Sequence, residues 1–427
     1  MKNGEEKMYQ KYKLSNGIRV VVEKIPYMKS VSLGIWIGAG SVHEDLNNNG
    51  ISHFIEHMLF KGTQTRTAKE IAEEIDNIGG QLNAFTSKEY TFYYAKVLDT
   101  HIHTAVDVLT DMLFHSTFSS VEIEKEKSVV LEEINMYEDS PEDNVHDLLS
   151  STIFHKHPLG LPILGNWDTI NRFDRELLTG YLNQNYTVDK IVISVVGNFD
   201  EKELIALLEE KFHHFANRSS EETETDLPVF SAGSSVKYKD IEQAHLCIGL
   251  EGASLTSNYL YPLLIINNVF GGSMSSRLFQ KIREDKGLAY SVYSYLSSYK
   301  TLGLLTIYVA VNPAHMIEVL RLIHKEIKDL LKTGFTKDEL EKSKEQLKGS
   351  YILGLESTSS RMVAIGKSEL LTNHIEKPKE VLQKIDQVTM EDIDKTIHKI
   401  FDLQKASIAA VGKIDEKQNM LSILNNF

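Results

Sequence analysis

The stretch HFIEHMLFKGT, residues 53–63, places His53, Glu56 and His57 within five positions of one another. Residues four apart on a helix share a face, so both imidazoles can direct a ring nitrogen at one ion. Glu56 flanks the pair and can reach a water on the metal without binding the metal itself. Two neutral imidazoles suit Zn²⁺, and a catalytic zinc takes three protein ligands plus a water. The alternative interpretation is a core or surface helix that carries two hydrogen-bonded histidines.

The rest of the chain is organised as two copies of one unit. Each copy contains a buried strand that ends in a small-residue turn, a helix with a capping box, and a strand followed by a glycine turn and a helix start. The matching segments are LGIWIGAGS from Leu33 and LCIGLEGAS from Leu246, FSSVEIEKEK from Phe118 and FTKDELEKSK from Phe335, and IVISVVGNFDEKEL from Ile191 and ASIAAVGKIDEKQN from Ala406.

This repeat predicts the fold class and the domains. Each copy mixes strands with long helices, which favours an α+β fold in which helices cover a mostly antiparallel sheet. Residues 1–216 form the predicted metal-binding catalytic domain, and residues 236–427 form a homologous domain without the metal. The polar, turn-rich stretch NRSSEETETDLPVFSAGSS, residues 217–235, is the predicted linker.

A third metal ligand is expected on the acidic helix EKEKSVVLEEINMYEDSPED. Glu126 and Glu133 lie on one stripe of this helix among apolar neighbours, where a buried carboxylate needs a partner. In the second copy these positions are Ser343 and Ser350, and the segment that pairs with HFIEH, YPLLIINNVFGG, contains no histidine. The carboxylates and the histidines are therefore lost together, which supports a metal site confined to the first copy.

The composition limits the classes of function. The chain has 427 residues, a formal net charge of -14 and one cysteine, Cys247. The negative charge argues against a nucleic-acid partner, and a lone cysteine fits a reducing compartment. The N-terminal segment has no apolar signal region, and no stretch is long and uncharged enough to span a membrane. The sequence thus predicts a cytoplasmic protein without a membrane or nucleic-acid partner.

With these residues assembled, the chain resembles the inverzincin metallopeptidases: pitrilysin, insulysin and mitochondrial processing peptidase. The resemblance covers essentially the whole chain and matches the short, two-domain bacterial type. The motifs that carry it are GISHFIEHMLFKGT, GGQLNAFTSKEYT, EEINMYEDSPED, PLGLPILGN and SSRLFQKIREDKGLAYSVYS. The inverted H-x-x-E-H signature is typical of this group.

The resemblance implies a role for each residue of the site. His53 and His57 match the zinc histidines, and Glu133 matches the third ligand, its distance after His57 favouring it over Glu132. Glu56 matches the general base. Glu126 matches an acid that would hold a ligand histidine through its far ring N–H. One Zn²⁺ per chain is expected.

Further residues match the substrate contacts of the family. Asn83 and Ala84 match an edge strand that pairs with an extended peptide. Arg283 and Tyr290 match a pair that contacts the substrate near the scissile bond, and Tyr290 could donate to the developing oxyanion. Ordinary surface charge and sheet packing are the alternative for this pair. Val42 stands where many relatives have an arginine, which puts a local salt bridge in doubt.

The implied function is a zinc-dependent endopeptidase that hydrolyses unstructured peptides or presequence-like segments through a zinc-bound water activated by Glu56. A homodimer enclosing the peptide would supply the four domains that insulysin-like relatives carry in one chain. The alternative is a non-catalytic structural or partner subunit of the same fold, but such relatives typically lose the histidines or Glu56. A peptide-binding module with a structural zinc would need four protein ligands, and three are found.

Overall fold

The computed structural model describes residues 8–213, 215 and 227–427. Eleven strands in these residues form two sheets. Residues 217–226 of the predicted linker lie outside the described residues. The strands are β1 (Gln10–Lys13), β2 (Arg19–Lys24), β3 (Ser30–Ile37), β4 (Gln81–Thr86), β5 (Thr91–Leu98), β6 (Ile191–Gly197), β7 (Ser234–Tyr238), β8 (Ala244–Glu251), β9 (Ala289–Ser298), β10 (Gly303–Val311) and β11 (Ser407–Gly412).

Helices make up most of the remaining described chain, and a π-helix, Phe279–Glu284, precedes β9. The α-helices are α1 (Ile51–Leu59), α2 (Ala68–Asp76), α3 (Ile102–His115), α4 (Ser120–Asp139), α5 (Pro141–Ile153), α6 (Trp167–Arg172), α7 (Arg175–Asn185), α8 (Glu201–Phe212), α9 (Leu260–Phe270), α10 (Met316–Thr333), α11 (Lys337–Gly354), α12 (Thr358–Thr372), α13 (Pro378–Gln387), α14 (Met390–Ile400) and α15 (Met420–Asn425).

The two sheets have equivalent topologies. The first has the strand order β1-β2-β6-β3-β5-β4 and the second has the order β7-β11-β8-β10-β9, so the second matches the first without β1. In each sheet one pair is parallel, β2 with β6 and β7 with β11, and the other pairs are antiparallel. The predicted α+β class with two mostly antiparallel sheets is confirmed.

The chain divides into two compact units that each take in a segment from the other half of the sequence. The first unit includes Leu353–Lys377, which contains α12, and the second includes Asn135–Leu161, which contains α5. Helix α12 packs on β3 and β6, whereas α5 packs on β8 and β11. The predicted division into 1–216, 217–235 and 236–427 follows the sequence repeat and does not anticipate where these two helices pack.

Strand β3, SVSLGIWI, shows why the first sheet needs cover on both faces. Residues Val31–Ile37 are buried, and successive side chains of a strand point to opposite faces. Leu33 and Ile35 join the core that also contains the apolar side of α1. On the other face, Ser32 Oγ lies 3.0 Å from Thr358 Oγ1 of α12. Strand β3 is therefore covered on both faces, by the apolar core on one side and by α12 on the other.

Small residues allow α12 to lie close to this sheet. Trp36 Nε1 donates to Ser194 Oγ at 2.8 Å, and Gly366 of α12 faces this hydrogen bond. A Cβ at Gly366 would overlap the indole and lie 2.6 Å from Ser194 Oγ. Glycine at this position is thus required by the close approach of the helix to the sheet.

We predict that Gly366→Ala destabilises the first unit by about 1–3 kcal/mol, because the added methyl overpacks the interface between α12 and the sheet. The matched control is Gly180→Ala in α7 of the same unit, where a Cβ would meet nothing within 4 Å. That change should raise stability by about 0.5–1 kcal/mol. Urea denaturation followed by circular dichroism measures both, and equal midpoints for the two variants would contradict the packing argument.

Candidate metal centre

The helix that carries the HFIEH motif begins at a buried carboxylate. Glu44 accepts hydrogen bonds from the backbone N–H groups of Gly50 at 2.7 Å and Ser52 at 2.9 Å. The first N–H groups of a helix lack partners within the helix, and a negative group there is favourable. Gly50 has a φ of 93°, and a Cβ there would lie 2.7 Å from Leu164 O. The start of α1 is therefore fixed by contacts that the motif itself does not show.

Both histidines of α1 face Glu133 of α4. The Nε2 atoms of His53 and His57 each lie 3.7 Å from Glu133 Oε2, and their ring centroids are 4.4 Å apart. His53 is 8% exposed. The structure thus brings together the three residues that the sequence predicts as ligands, from two helices far apart in the chain.

The three side chains fit a zinc ion by their chemistry and spacing. Their candidate ligand atoms all lie within 4.8 Å of one another, and this is the one His, Cys, Asp or Glu group of that kind found in the described residues. At a Zn–N distance of 2.0–2.1 Å, ligands of a tetrahedral zinc lie about 3.4 Å apart. The two distances of 3.7 Å to Glu133 are close to this value, so small side-chain shifts suffice for coordination.

His57 is oriented by a second carboxylate on α4. Its Nδ1 lies 2.7 Å from Glu126 Oε1, and Lys61 Nζ lies 2.7 Å from the other oxygen, Glu126 Oε2. Burial opposes charge on Glu126, but the hydrogen bonds from His57 and Lys61 outweigh it and lower the pKa of Glu126. Burial also opposes charge on His57, and the hydrogen bond to Glu126 and its charge raise the pKa of His57. An Nδ1–H donated to Glu126 leaves Nε2 of His57 free to bind a metal.

His53 lacks a comparable partner. Its Nδ1 is buried and makes no hydrogen bond within the described part of the chain. Burial, followed by the neighbouring His57, lowers the pKa of His53 to about 3. The imidazole is therefore neutral at physiological pH, which is the form that binds a metal.

Glu56 points toward strand β4 and does not join the cluster of His53, His57 and Glu133. Its Oε2 accepts a hydrogen bond from Thr86 Oγ1 at 2.6 Å. Burial raises the pKa of Glu56, and the hydrogen bond from Thr86 partly offsets this effect. Glu56 is therefore not one of the three candidate ligands, although its carboxylate is close enough to feel the charges of His57 and Glu133.

Asn83 and Ala84 lie on β4, which is the last strand of the first sheet and pairs only with β5 among the described strands. The strand alternates between exposed and half-buried residues, with Asn83 exposed and Ala84 half-buried. Helix α1 packs against this strand. The structure therefore places the predicted peptide-binding strand beside the helix of the candidate metal centre, with one edge unpaired.

The remaining predicted residues lie elsewhere. In the second unit, Arg283 of the π-helix and Tyr290 of β9 are neighbours, with the guanidinium carbon 6.0 Å from the tyrosine ring centroid. Tyr290 is 76% exposed. Val42 is half-buried and its backbone N–H donates to Lys88 O at 2.8 Å.

Sequence reasoning missed three residues of this centre: Glu44, Lys61 and Thr86. Lys61 follows His57 by four positions, a spacing that points to a shared face and could have identified it. Thr86 shares a strand face with Ala84, but only the fold shows that this face meets Glu56. Glu44 follows no local capping pattern, because it reaches α1 across six residues of loop.

The second copy replaces these charged contacts with neutral ones. Asn268 Nδ2 of α9 donates to Ser343 Oγ of α11 at 2.9 Å, and Ser343 Oγ donates to Ile265 O at 3.2 Å. The helix pair thus remains bridged by polar groups. It offers no carboxylate or imidazole at the positions where the first copy has a candidate metal centre.

Comparisons with known proteins match this architecture along nearly the whole chain. A family model described as insulinase (peptidase family M16) matches residues 19–166, and a model described as peptidase M16 inactive domain matches residues 172–347. The chain is 48% identical over 409 residues to an uncharacterized zinc protease, YmxG, of Bacillus subtilis, which covers 95% of this chain and 100% of the relative. It is 37% identical over 414 residues to an uncharacterized zinc protease of Mycobacterium leprae, which covers 95% and 92%.

Two solved structures share the fold. A protein from Pseudomonas fluorescens described as a peptidase M16 inactive domain has a TM-score of 0.89 at 18% identity, covering 96% of this chain and 99% of that chain. A protease from Helicobacter pylori has a TM-score of 0.87 at 21% identity, covering 95% and 99%. At these identities the likeness concerns the fold alone.

Among the residues that the structure describes, none of the helices combines the length and the apolar character needed to cross a membrane.

We predict that Glu126→Gln weakens zinc binding about 10- to 100-fold, because it removes the charge that orients His57 and pairs with Lys61. Competition with a chromogenic chelator measures the affinity. The matched control is Glu124→Gln on the same helix, whose exposed carboxylate pairs with Lys127 and is not part of the ligand cluster. Equal zinc affinities for the two variants would show that Glu126 does not support the metal centre.

Proposed function

Because the chain belongs to peptidase family M16, the insulinase family, we propose that it is a zinc-dependent endopeptidase that hydrolyses unstructured peptides or presequence-like segments. The observation that carries the proposal is the convergence of His53, His57 and Glu133, with both Nε2 atoms 3.7 Å from Glu133 Oε2. The choice of zinc as the metal and of proteolysis as the reaction rests on the relatives named above as zinc proteases. Three protein ligands leave the fourth position of a tetrahedral zinc for water or substrate.

Glu56 is the proposed general base. When bound, zinc acts as a Lewis acid that polarises a carbonyl and makes water a stronger nucleophile at neutral pH. Glu56 takes a proton from the attacking water and passes it to the leaving amine. Its carboxylate lies beside the ligand cluster and is held by Thr86, so it is available for proton transfer and is not used as a ligand.

Strand β4 is the proposed binding site for the peptide backbone. Its outer edge is unpaired among the described strands, and an extended peptide can add to such an edge through backbone hydrogen bonds at Asn83 and Ala84. This mode of binding requires an extended segment, so a folded protein is a poor substrate. The peptide would then run past the helix that carries His53 and Glu56.

Arg283 and Tyr290 are the proposed contacts near the scissile bond, with Tyr290 donating to the oxyanion that develops on the carbonyl. Their side chains are neighbours, and Tyr290 is largely exposed.

We propose that the protein is a cytoplasmic homodimer in which each site takes its zinc ligands from one protomer and Arg283 and Tyr290 from its partner. A two-fold dimer is the commonest form of homo-oligomer.

The rival function is a non-catalytic subunit of the same fold. Such a subunit has no need of a general base, whereas this chain has Glu56 next to His57 and a Thr86 hydroxyl that orients it. A second rival, a structural zinc, would require a fourth protein ligand, and the described residues supply three in one cluster. Both observations favour the peptidase.

We predict that the zinc-loaded protein cleaves unstructured peptides of a few tens of residues and leaves a disulfide-bonded globular protein intact. Mass spectrometry of the products measures both.

Glu56→Gln should keep zinc and lose nearly all hydrolysis, whereas His57→Ala and Glu133→Ala should lose zinc as well. Elemental analysis measures the zinc content of each variant. Loss of zinc from Glu56→Gln together with its retention in Glu133→Ala would contradict the assignment of roles.

The shared site predicts complementation between two inactive proteins, Glu56→Gln and the double variant Arg283→Ala/Tyr290→Phe. When subunits exchange, half of the dimers are mixed, and each mixed dimer has one intact site out of two. Activity should therefore return to about a quarter of the wild-type value by this statistical counting. If each site were built within one protomer, every site would carry a lesion and no activity would return.

A further inference from the structure

The hydrogen bond from Thr86 to Glu56 connects the proposed base to strand β4. Glu56 is 9% exposed, so few water molecules are available to orient its carboxylate. Thr86 Oγ1 donates to Glu56 Oε2 at 2.6 Å, and the backbone N–H of Thr86 also favours the ionised carboxylate. The orientation of the proposed base is therefore set by one residue.

That residue lies at a defined place in the sheet. Thr86 is the last residue of β4 and pairs with Thr91 of β5, whose Oγ1 donates to Ala39 O at 2.9 Å. Side chains two apart on a strand share a face, so Thr86 and Ala84 point to the same side. The inner edge of β4 is anchored to the sheet, while its outer edge is the one proposed to hold the peptide.

We propose that Thr86 is a positioning residue for peptide hydrolysis: its hydroxyl fixes the Glu56 carboxylate relative to strand β4, on which the peptide docks. The inference rests on the peptidase function proposed above and adds a residue to it. Because β4 holds both the Glu56 carboxylate and the docked peptide, the distance between that carboxylate and the scissile bond stays constant. A small displacement of such a group lowers the rate of reaction without weakening substrate binding.

If Thr86 had only a structural role, the relative activities of two substitutions, Thr86→Val and Thr86→Ser, would be the opposite of those expected for a positioning residue. Valine keeps the β-branched shape that favours a strand but removes the hydroxyl, whereas serine keeps the hydroxyl and removes the branch. If the strand conformation matters, Thr86→Val should retain activity and Thr86→Ser should lose it. If the hydroxyl matters, the order is reversed.

The experiment measures kcat, KM and zinc content for the full-length zinc-loaded protein on one unstructured peptide. We expect kcat of Thr86→Val to fall roughly 10- to 100-fold, the effect of losing a hydrogen bond to a charged group. KM and zinc content should stay within about twofold of wild type, since neither the ligands nor the strand edge changes. Thr86→Ser should recover most of kcat. Thr100→Val, the same change at an exposed threonine of the first unit, is the control and should match wild type.

Three results would overturn the inference. They are an unchanged kcat in Thr86→Val, a greater loss in Thr86→Ser than in Thr86→Val, and a defect of Thr86→Val confined to KM or zinc content. Each of these leaves the proposed peptidase standing, because wild type and Thr100→Val still hydrolyse the peptide. Absence of hydrolysis by the zinc-loaded wild type is a different result, which would remove the proposed function and the role of Thr86 with it.

Discussion

The contact between side chains of α1 and α4 is the one on which the candidate metal centre depends. It places the Nε2 atoms of His53 and His57 at 3.7 Å from one carboxylate oxygen of Glu133. One buried imidazole, one half-buried imidazole and a half-buried carboxylate are costly unless they find partners. The raised pKa of Glu133, which follows chiefly from burial, shows that the surroundings oppose its charge. A cation bound between the three groups would relieve that cost.

The second unit shows what this helix pair is like without metal chemistry. It has the same sheet topology, and its corresponding helices meet through Asn268 and Ser343 with neutral hydrogen bonds. The fold thus does not need the carboxylates and histidines of the first unit. Their presence in one copy only is explained by a function of that copy. In the same copy, an ion pair with Lys61 holds the Glu126 carboxylate in place.

Residues whose partners lie in a local pattern could be predicted from the sequence. The four-residue spacing of His53 and His57 and the stripe that carries Glu126 and Glu133 are helix-face relations, and they hold in the structure. The capping box predicted in the segment FTKDELEKSK is likewise complete, with reciprocal hydrogen bonds between Thr336 and Glu339. The repeat predicted two equivalent sheets for the same reason, since strand patterns depend on adjacent residues.

Contacts between distant segments could not be predicted in this way. Gly366 contacts Trp36, more than 300 residues earlier in the chain. The α12 sequence, TSSRMVAIGKSELLT, does not indicate which sheet the helix covers. Glu44 and Thr86 reach α1 from a loop and from a neighbouring strand, so their roles appear only after the chain has folded. The spacings within α1 and within α4 follow local rules, while the meeting of the two helices and the groups that orient α1 and Glu56 depend on tertiary contacts.

The most direct test of the metal centre is a crystal structure of the zinc-loaded protein with anomalous diffraction collected at the zinc edge. We expect one peak per chain, bound by Nε2 of His53, Nε2 of His57 and a carboxylate oxygen of Glu133, at about 2.0–2.2 Å from each. The fourth position should be taken by a non-protein ligand, with Glu56 outside the coordination sphere. A peak at another place, or a fourth protein ligand at this one, would contradict the central claim.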